Sequence, residues 1–273
     1  MPSARVTFLG TGTSHGVPMI GCRCAVCRSD DPRDRRLRPS IHIAVEGGPA
    51  VLVDTATDLR QQALTNDITR VDAVLFTHSH ADHVMGLDEL RRFNLTAGRK
   101  LPVYADAKTG AELTRIFSYA FTVPAGPGGG VPELALHEID GPFVVEGLAV
   151  QPVAIMHGPQ SILGFRIGRF AYLTDCNHVP EASFALLEGL DVLVLDALRH
   201  RPHPTHFSVA EAVAVATRIG ARQTFFTHIC HDLPHAATCA DLPPGMALGV
   251  DGQVVTLDDV PWTAPVAAGG GAA

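Results

Sequence analysis

The sequence lacks any long hydrophobic run. None of its apolar stretches reaches the roughly 20 residues that a membrane-spanning helix requires. The first residues also lack the apolar stretch of a secretion signal and pass directly into a strand pattern, so we expect a cytoplasmic protein without a membrane partner. Hydrophobic residues nevertheless make up 46% of the 273 positions, which is enough for a sizeable core.

The sequence also lacks an excess of positive charge. Lys and Arg number 21 against 28 Asp and Glu, and the formal net charge of −7 argues against an extended nucleic-acid interface. Residues 28–38 hold five arginines, but Asp30, Asp31 and Asp34 lie among them. We interpret this stretch as a solvated loop of mixed charge, and we expect no nucleic-acid partner.

Two segments lack the patterns of regular secondary structure. Prolines and glycines interrupt residues 123–133, which we interpret as a steric flap over a pocket rather than a domain linker. Residues 264–273 are almost all alanine and glycine and are predicted to be a disordered tail. The remaining residues, 1–263, are predicted to form a single domain.

Short apolar runs typical of buried strands alternate with segments of helical spacing. Both halves of the chain carry several strands followed by alternating helices and strands, which predicts an α/β fold with two sheets face to face and helices outside. The predicted strands are residues 5–9, 41–45, 50–53, 71–76, 103–104, 143–145, 148–155, 162–167, 169–173, 191–195 and 223–227, and the predicted helices are residues 58–64, 86–94, 107–119, 182–187 and 208–219.

The segment Thr-His-Ser-His-Ala-Asp-His, which ends at His83, concentrates metal-binding side chains. It directly follows the apolar run 71–76, so these side chains lie where a buried strand reaches the surface. In an extended or turning segment, His78 and His80 can face one side while Asp82 and His83 face the other, which gives two half-sites. Imidazole and carboxylate are ligands that zinc, manganese and iron(II) accept. The segment therefore predicts a metal site.

Three later strand ends carry further residues of the same kind. One histidine or aspartate at a strand end is an ordinary loop residue, but three of them in a chain with the cluster above predict a shared site. Two close divalent ions lower the pKa of a shared water and promote displacement at phosphorus, which predicts hydrolysis. The predicted ligands are His78, His80 and His157 for one metal, Asp82, His83 and His228 for the other, and Asp175 between them.

Asp54 also follows a predicted strand, and two interpretations of it stay open. Its carboxylate can accept the second N–H of a ligand histidine, or it can be a simple turn residue.

Three of the six cysteines form the cluster Cys-Arg-Cys-Ala-Val-Cys. Without a secretion signal, this spacing points to a metal rather than to disulfides. Three thiolates need a fourth ligand from elsewhere in the chain to close a tetrahedral zinc site. The clustered cysteines are Cys22, Cys24 and Cys27, while Cys176, Cys230 and Cys239 stand apart and are interpreted as core or surface residues.

These motifs together resemble the metallo-β-lactamase superfamily and, within it, the PhnP-like phosphoribosyl 1,2-cyclic phosphate phosphodiesterases. The resemblance covers nearly the whole chain except the tail. It includes the opening Gly-Thr-Gly-Thr-Ser-His-Gly-Val-Pro from Gly10, the cysteine cluster, Asp-Thr-Ala-Thr-Asp-Leu-Arg from Asp54, Leu-Asp-Ala-Leu-Arg from Leu195 and Thr-His-Ile-Cys-His from Thr227.

The resemblance implies an αββα sandwich with two active-site metals, manganese or zinc, that hydrolyses a small cyclic phosphodiester to a phosphomonoester. It also implies His231 as the fourth ligand of a structural zinc, and His206 as a catalytic histidine that is not a metal ligand. We expect His206 to protonate the leaving oxygen and Asp82 to be both a ligand and a catalytic residue. His200 and His203 stay open as substrate contacts or surface residues. A homodimer is an expectation from the family.

Three alternatives remain at the level of sequence. The tRNA 3′-processing endonucleases share the metal motifs, but this chain shows no basic arm for RNA. PqqB-like proteins share the glycine-rich start and the cysteine cluster, but they often depart from the full ligand set. A zinc-binding scaffold without turnover is the alternative that is not an enzyme.

Overall fold

Two seven-stranded sheets lie face to face, and helices cover the outer face of each, among the residues that the structure describes. The structure is a computed structural model that describes residues 2–122 and 130–264. The predicted αββα sandwich is therefore confirmed. Residues 123–129 of the predicted flap and residues 265–273 of the predicted tail lie outside the described residues.

The two sheets have comparable layouts. In spatial order, the first sheet contains β14 (Val254–Leu257), β1 (Ala4–Gly10), β2 (Ser40–Val45), β3 (Ala50–Val53), β4 (Ala73–Leu75), β5 (Leu101–Ala105) and β6 (Leu134–Glu138). The second contains β13 (Met246–Leu248), β12 (Gln223–Thr227), β11 (Val192–Asp196), β10 (Phe170–Leu173), β9 (Gln160–Ile167), β8 (Leu148–His157) and β7 (Phe143–Val145).

Short helices connect the strands. None of those in the described part of the chain combines the length and apolar character needed to cross a membrane. The α-helices are α1 (Leu59–Thr65), α2 (Ala81–Val84), α3 (Arg91–Ala97), α4 (Ala107–Ile116), α5 (Ser118–Thr122), α6 (Glu181–Phe184), α7 (Val209–Ile219) and α8 (His235–Asp241), and 3₁₀ turns occur at Pro32–Asp34, Leu87–Leu90 and Ala185–Leu187.

The central strands are buried on both faces, which explains their continuous apolar sequences. In β3, Val51 and Val53 belong to the cluster between the sheets, whereas Leu52 belongs to the cluster beneath the helices of the first sheet. In β11, Val194 faces the space between the sheets and Leu193 faces the outer helices. Side chains alternate along a strand, so both layers of contact follow from one apolar run.

Parallel strands place their carboxyl ends at one edge of each sheet. Strands β3 to β6 are mutually parallel, and so are β10 to β13. Loops that follow such strands form the usual ligand-binding edge of open α/β sheets. The polar residues that follow β3, β4, β10, β11 and β12 are therefore brought toward one region.

The predicted elements were mostly found. Strands β6, β13 and β14 and helices α2 and α8 were not predicted. Strand β6 is largely exposed and β13 has three residues, so neither carries the apolar run that marks a buried strand. Residues 86–94, predicted as one helix, divide into the 3₁₀ turn Leu87–Leu90 and helix α3. Ser208 does cap α7 as predicted, through a capping box with Glu211.

Candidate active site

The candidate active site lies at the edge where the parallel strands end. Asp54 follows β3, His78 lies beyond β4, Asp175 lies beyond β10, Asp196 ends β11 and His228 follows β12. Asp54, Asp175 and His228 have positive φ angles of 61°, 60° and 59°. Residues other than glycine rarely adopt this conformation, and such backbone is concentrated at functional sites.

The metal-type motif after β4 divides where α2 begins. His80 precedes α2 in an extended conformation, with φ −66° and ψ 151°, whereas Asp82 and His83 lie within this helix. The extended and helical parts direct their side chains into two neighbouring groups, as the sequence predicts. One group contains His78, His80 and Asp175, and the other contains Asp82, His83, Asp175 and His228, with one donor atom from each residue within 4.8 Å of the others.

His157 lies beside both groups. Its ring centroid is 5.1 Å from that of His80 and 5.7 Å from that of His78, the two histidines with which it is predicted to share a metal. It also forms a close group with Asp175 and His206. Asp175 thus belongs to each of these three groups, so its carboxylate lies where the groups meet.

Several buried donor atoms in the site have no hydrogen-bond partner within the described structure. They are Nε2 of His78 and His83, both ring nitrogens of His228 and Oδ2 of Asp82. Nε2 of His83 and Nε2 of His228 each lie 3.2 Å from an oxygen of Asp175, but without hydrogen-bond geometry. Buried polar atoms are almost always satisfied. Orphaned imidazole and carboxylate atoms that converge on one space fit divalent cations.

Other polar groups fix the orientation of the histidines. Nδ1 of His83 donates to Oδ2 of Asp54 at 2.7 Å, and Asp54 accepts further bonds from the backbone N–H and the hydroxyl of Thr77, both at 2.8 Å. Nδ1 of His157 donates to the carbonyl oxygen of Thr205 at 3.0 Å. Each bond leaves Nε2 for the site, as in proteins whose ligand histidines are held by outer partners. Of the two interpretations of Asp54, the orienting role is the one that the contacts support.

The buried carboxylates give the site a negative charge that favours the binding of cations. Burial would raise the pKa of Asp175, but His228 and His83 hold it well below its usual range. Burial would lower the pKa of His83, but Asp175, Asp82 and Asp54 raise it well above its usual range. A group of carboxylates that draws a proton onto a buried imidazole provides the negative charge that a divalent ion would neutralise.

His206 lies against this cluster and is buried. Its ring stacks on that of His228 with centroids 4.5 Å apart and planes at 9°, and its centroid is 4.8 Å from that of His157. Nδ1 of His206 is hydrogen-bonded to Oδ2 of Asp196 at 2.9 Å, and Oδ1 of Asp196 accepts from the backbone N–H of Phe207. Because Nδ1 is already hydrogen-bonded to Asp196, Nε2 is the ring nitrogen that can contact a substrate.

Sequence reasoning missed Asp196 as a functional residue. The signal was present, because Asp196 ends an apolar strand in the same way as the predicted ligands follow theirs. The two histidines left open lie differently: the ring centroid of His203 is 5.0 Å from that of His206, whereas His200 is exposed. His203 is thus the one of the two that lies beside His206.

A second group, which we call the cysteine site, combines Cys22, Cys24, Cys27 and His231. Nδ1 of His231 lies 3.2, 3.3 and 3.7 Å from the sulfurs of Cys22, Cys24 and Cys27. Tetrahedral zinc would separate such atoms by roughly 3.5 Å. The backbone N–H of Cys27 lowers the pKa of the Cys24 thiol to about 6, and burial raises that of Cys27 to about 11. The four groups fit the structural zinc that is predicted here.

The basic stretch 28–38 is not wholly solvated, and the prediction is wrong for two of its residues. Arg36 is fully buried and donates to Asp34 at 3.1 Å and to the carbonyl oxygens of Cys230 and Leu233 at 2.9 and 2.7 Å. Asp34 is buried too and accepts from the backbone N–H of His235. The guanidinium finds carbonyl acceptors from a distant segment, which compensates its burial.

Comparisons with known proteins agree with this geometry. The family profile of the beta-lactamase superfamily domain matches residues 50–229. The crystal structure of a new diphosphatase from the PhnP family superposes with a TM-score of 0.88 at 44% identity, covering 94% of this chain and 98% of that one. The fold and the site therefore define a metal-dependent hydrolase. The chain belongs to the metallo-β-lactamase superfamily, in its PhnP-like branch.

Two further relatives differ from each other in coverage. An octanoyltransferase of Porphyromonas gingivalis is 39% identical over 259 residues, which are 93% of this chain but 52% of that protein. The chain thus spans about half the length of that relative, and the rest of it has no counterpart in the match. Coenzyme PQQ synthesis protein B of Methylobacterium nodulans is 30% identical over 224 residues, 69% of this chain and 71% of that protein.

Proposed function

We propose that this protein is a phosphodiesterase with two divalent metal ions, manganese or zinc, in the active site. Its substrate is a small cyclic phosphodiester such as 5-phosphoribosyl 1,2-cyclic phosphate, which it hydrolyses to a phosphomonoester. The convergence of orphaned imidazole and carboxylate atoms on Asp175 supports the proposal most directly. The likeness to a PhnP-family structure at 44% identity supports the choice of phosphorus chemistry.

The residues that would hold the ions follow from the two groups. His78, His80 and His157 would bind one, and Asp82, His83 and His228 the other, with Asp175 between them. Divalent ions held there would lower the pKa of water and neutralise the charge that develops at phosphorus. A third ion, zinc, would be bound in the cysteine site, where its role is structural.

Asp82 has the properties of a group that orients the attacking water. Burial would raise its pKa, but His83 and His228 lower it, so the carboxyl group stays ionised and accepts hydrogen bonds. Its Oδ2 is one of the orphaned atoms of the metal groups. The other oxygen can accept a hydrogen bond from water.

The pair of His206 and Asp196 is suited to protonate the leaving oxygen. Burial lowers the pKa of His206 and raises the pKa of Asp196, so both shifts favour an uncharged pair, in which the carboxyl group of Asp196 carries the shared proton and donates a hydrogen bond to Nδ1. Nε2 then carries a hydrogen. When Nε2 gives this proton to the leaving oxygen, Nδ1 takes the shared proton and Asp196 becomes a carboxylate. The pair thus supplies one proton without leaving a charge on the imidazole.

Hydrolysis of a diphosphate ester is a second candidate, which is favoured by the similarity to the PhnP-family diphosphatase. The PqqB-like alternative rests on a relative of lower identity, 30% over 69% of this chain. For RNA processing, the net charge of −7 remains the argument against a polyanionic partner.

The test is hydrolysis by the purified protein, with metal content determined on the same sample and manganese added back. Three substrates distinguish the candidates: 5-phosphoribosyl 1,2-cyclic phosphate, bis(p-nitrophenyl) phosphate and a nucleoside diphosphate sugar. Turnover of the cyclic phosphate with about three metal ions per chain would support the proposal. Faster turnover of the diphosphate ester would favour the second candidate, and no turnover of any substrate at full metal loading would contradict both.

A further inference from the structure

Three loops that carry active-site residues meet at the side chain of Asn177. The first is the turn after β8, which follows His157. The second follows β10 and contains Asp175, and the third lies between β11 and α7 and contains His206. Asn177 is half-buried and belongs to the second loop, two residues beyond Asp175. It has no part in the chemistry proposed above.

Both polar atoms of the Asn177 amide are hydrogen-bonded, each to a different loop. Oδ1 accepts from the backbone N–H of Gly158 at 2.9 Å, and Nδ2 donates to the carbonyl oxygen of Pro204 at 2.9 Å. A backbone N–H can only donate and a carbonyl oxygen can only accept, so the two partners fix the orientation of the amide. The side chain is thus a bridge between the backbone next to His157 and the backbone two residues before His206.

The main chain around Asn177 holds this bridge in place. The backbone N–H of Asn177 donates to the carbonyl oxygen of Met156 at 2.9 Å, and the carbonyl oxygen of Cys176 accepts from the backbone N–H of Phe207 at 2.8 Å. The first bond ties Asn177 to the end of β8, and the second ties its neighbour to the residue after His206. The bridge therefore starts from backbone that is itself bonded to both of the other segments, as a precise positioning group requires.

The two bridged loops also contact each other directly. Nδ1 of His157 donates to the carbonyl oxygen of Thr205 at 3.0 Å. Gly158 has a φ of 61°, and a Cβ added to it would lie 2.9 Å from Cγ2 of Thr205. Only glycine permits so close an approach of the two loops in this conformation. A change in the Asn177 bridge therefore acts on Thr205, and through it on the adjacent His206.

We propose that Asn177 is a positioning residue whose two hydrogen bonds set the place of His206 relative to the ligand candidate His157. The inference rests on the proposed function, in which Nε2 of His206 gives its proton to the leaving oxygen as the bond from phosphorus to that oxygen breaks. Such a transfer requires the two atoms to be within hydrogen-bond distance. A displacement of about 1 Å is enough to slow a reaction by on the order of 10²-fold.

The experiment compares two substrates whose leaving oxygens differ in their need for a proton. The sugar oxygen of 5-phosphoribosyl 1,2-cyclic phosphate leaves as a basic alkoxide unless it is protonated, whereas the p-nitrophenolate of bis(p-nitrophenyl) phosphate is a weak base. Asn177→Ala removes both hydrogen bonds, and Asn177→Asp keeps the acceptor for Gly158 but turns an oxygen toward the carbonyl oxygen of Pro204. Both variants are expected to lower kcat for the cyclic phosphate by about 10- to 100-fold, and to change kcat for bis(p-nitrophenyl) phosphate little, with all metal ions retained.

Two controls distinguish positioning from general damage to the fold. Asn66→Ala is the matched variant, because Asn66 is also half-buried and its side chain donates to a backbone carbonyl, that of Gln62, at the end of α1. It should hydrolyse both substrates as the wild type does. The second control is the double variant of Asn177→Ala and His206→Gln. Once the proton donor is gone, loss of the bridge should cost no further activity toward the cyclic phosphate.

The outcomes separate the position of His206 from the chemistry. If Asn177→Ala lowers kcat for both substrates equally, or loses metal ions, the positioning role is wrong and the proposed function stands. The same conclusion follows if Asn177→Ala behaves as Asn66→Ala does, or if its effect and that of His206→Gln simply multiply in the double variant. If the wild type at full metal loading hydrolyses neither substrate, the proposed function fails, and the positioning role fails with it.

Discussion

The active site and the cysteine site bring their donor groups together in opposite ways. The active-site groups come from the ends of strands in both sheets and are mostly buried. The cysteine site takes three of its four members from one short loop, and most of its residues are partly exposed. The first arrangement requires the completed fold, whereas the second is nearly local. The difference suggests a site that is built for chemistry and a site that fastens a loop.

The two sites are nevertheless joined by one segment. His228 and His231 lie three residues apart after β12, and Arg36 donates to the carbonyl oxygens of Cys230 and Leu233 within the same stretch. The cysteine loop thus holds a chain segment whose other end enters the active site. The following predictions test how far the two sites depend on each other.

The largest effect is expected from Asp175→Asn. The amide keeps the shape and tolerates the positive φ of this position, but it removes the charge shared by the metal groups. We expect kcat/KM to fall by on the order of 10³-fold or more, because both active-site ions are bound more weakly. Metal analysis should give about one ion per chain, retained in the cysteine site. Asp106→Asn is the control, since Asp106 caps α4 beyond β5 and asparagine caps equally well. If the Asp175→Asn variant retained all its ions, the hypothesis that both active-site ions share the Asp175 carboxylate would be contradicted.

The next effect is expected from His206→Gln. It should lower kcat by about 10²- to 10⁴-fold with all metal ions retained, because a proton donor is lost but no ligand. Asp196→Asn should lower kcat by about 10- to 100-fold, because the amide can hydrogen-bond to Nδ1 of His206 but cannot pass a proton to it. His200→Gln, on the same loop and exposed, should behave as the wild type. The pH dependence of kcat should change in the Asp196 variant, and an unchanged profile would argue against the pair.

His231→Ala is expected to act on stability rather than on the chemical step. Loss of a structural ion at a hundred to a thousand times its Kd removes about 3–4 kcal/mol of stabilisation. For a chain of this size, the Tm should fall by roughly 6–16 °C. Calorimetry and metal analysis would measure both losses, and kcat per folded molecule should change little. A loss of the active-site ions in this variant would show that the segment couples the two sites more tightly than we expect.

The smallest effect concerns the order in which the cysteines react after metal removal. The pKa of Cys24 is lowered to about 6, so its thiolate predominates at pH 7 and its reactivity should be lost as the pH falls through 6. The pKa of Cys27 is raised to about 11 by burial, so its thiol stays protonated at pH 7. Alkylation at pH 7, followed by mass spectrometry, should modify Cys24 at least about tenfold faster than Cys27. Equal rates would contradict the local hydrogen bond to Cys24.

Much of the architecture could be predicted from the sequence, because most of its central strands carry a clear hydrophobic pattern. Strand β3 is a short apolar run between turns, strand β12 carries two phenylalanines between polar residues, and the predicted bounds of both agree with the structure. Parallel strands bring their carboxyl ends to one edge, so residues far apart in sequence could be expected to meet there. The exposed strand β6 and the short strand β13 gave no such pattern and were missed.

The fate of single polar residues was less predictable than the fold. Arg36 lies in a stretch that reads as a charged, solvated loop, yet it is buried. Its hydrogen bonds reach Cys230, 194 residues away along the chain. Asp196 is one aspartate among several strand-end residues, and its bond to His206 depends on how the loop before α7 folds back. Such pairings are set by tertiary packing and leave no periodic signal.

The sequence by itself determined which candidate ligand residues each site has and which strands they follow. Spacing within a motif is a local property, so it survives in the primary structure. The tertiary structure alone decided that His206 is paired with Asp196 and that Arg36 is buried. These features depend on contacts between segments up to about two hundred residues apart, whose burial and hydrogen bonding exist only when both sheets are in place.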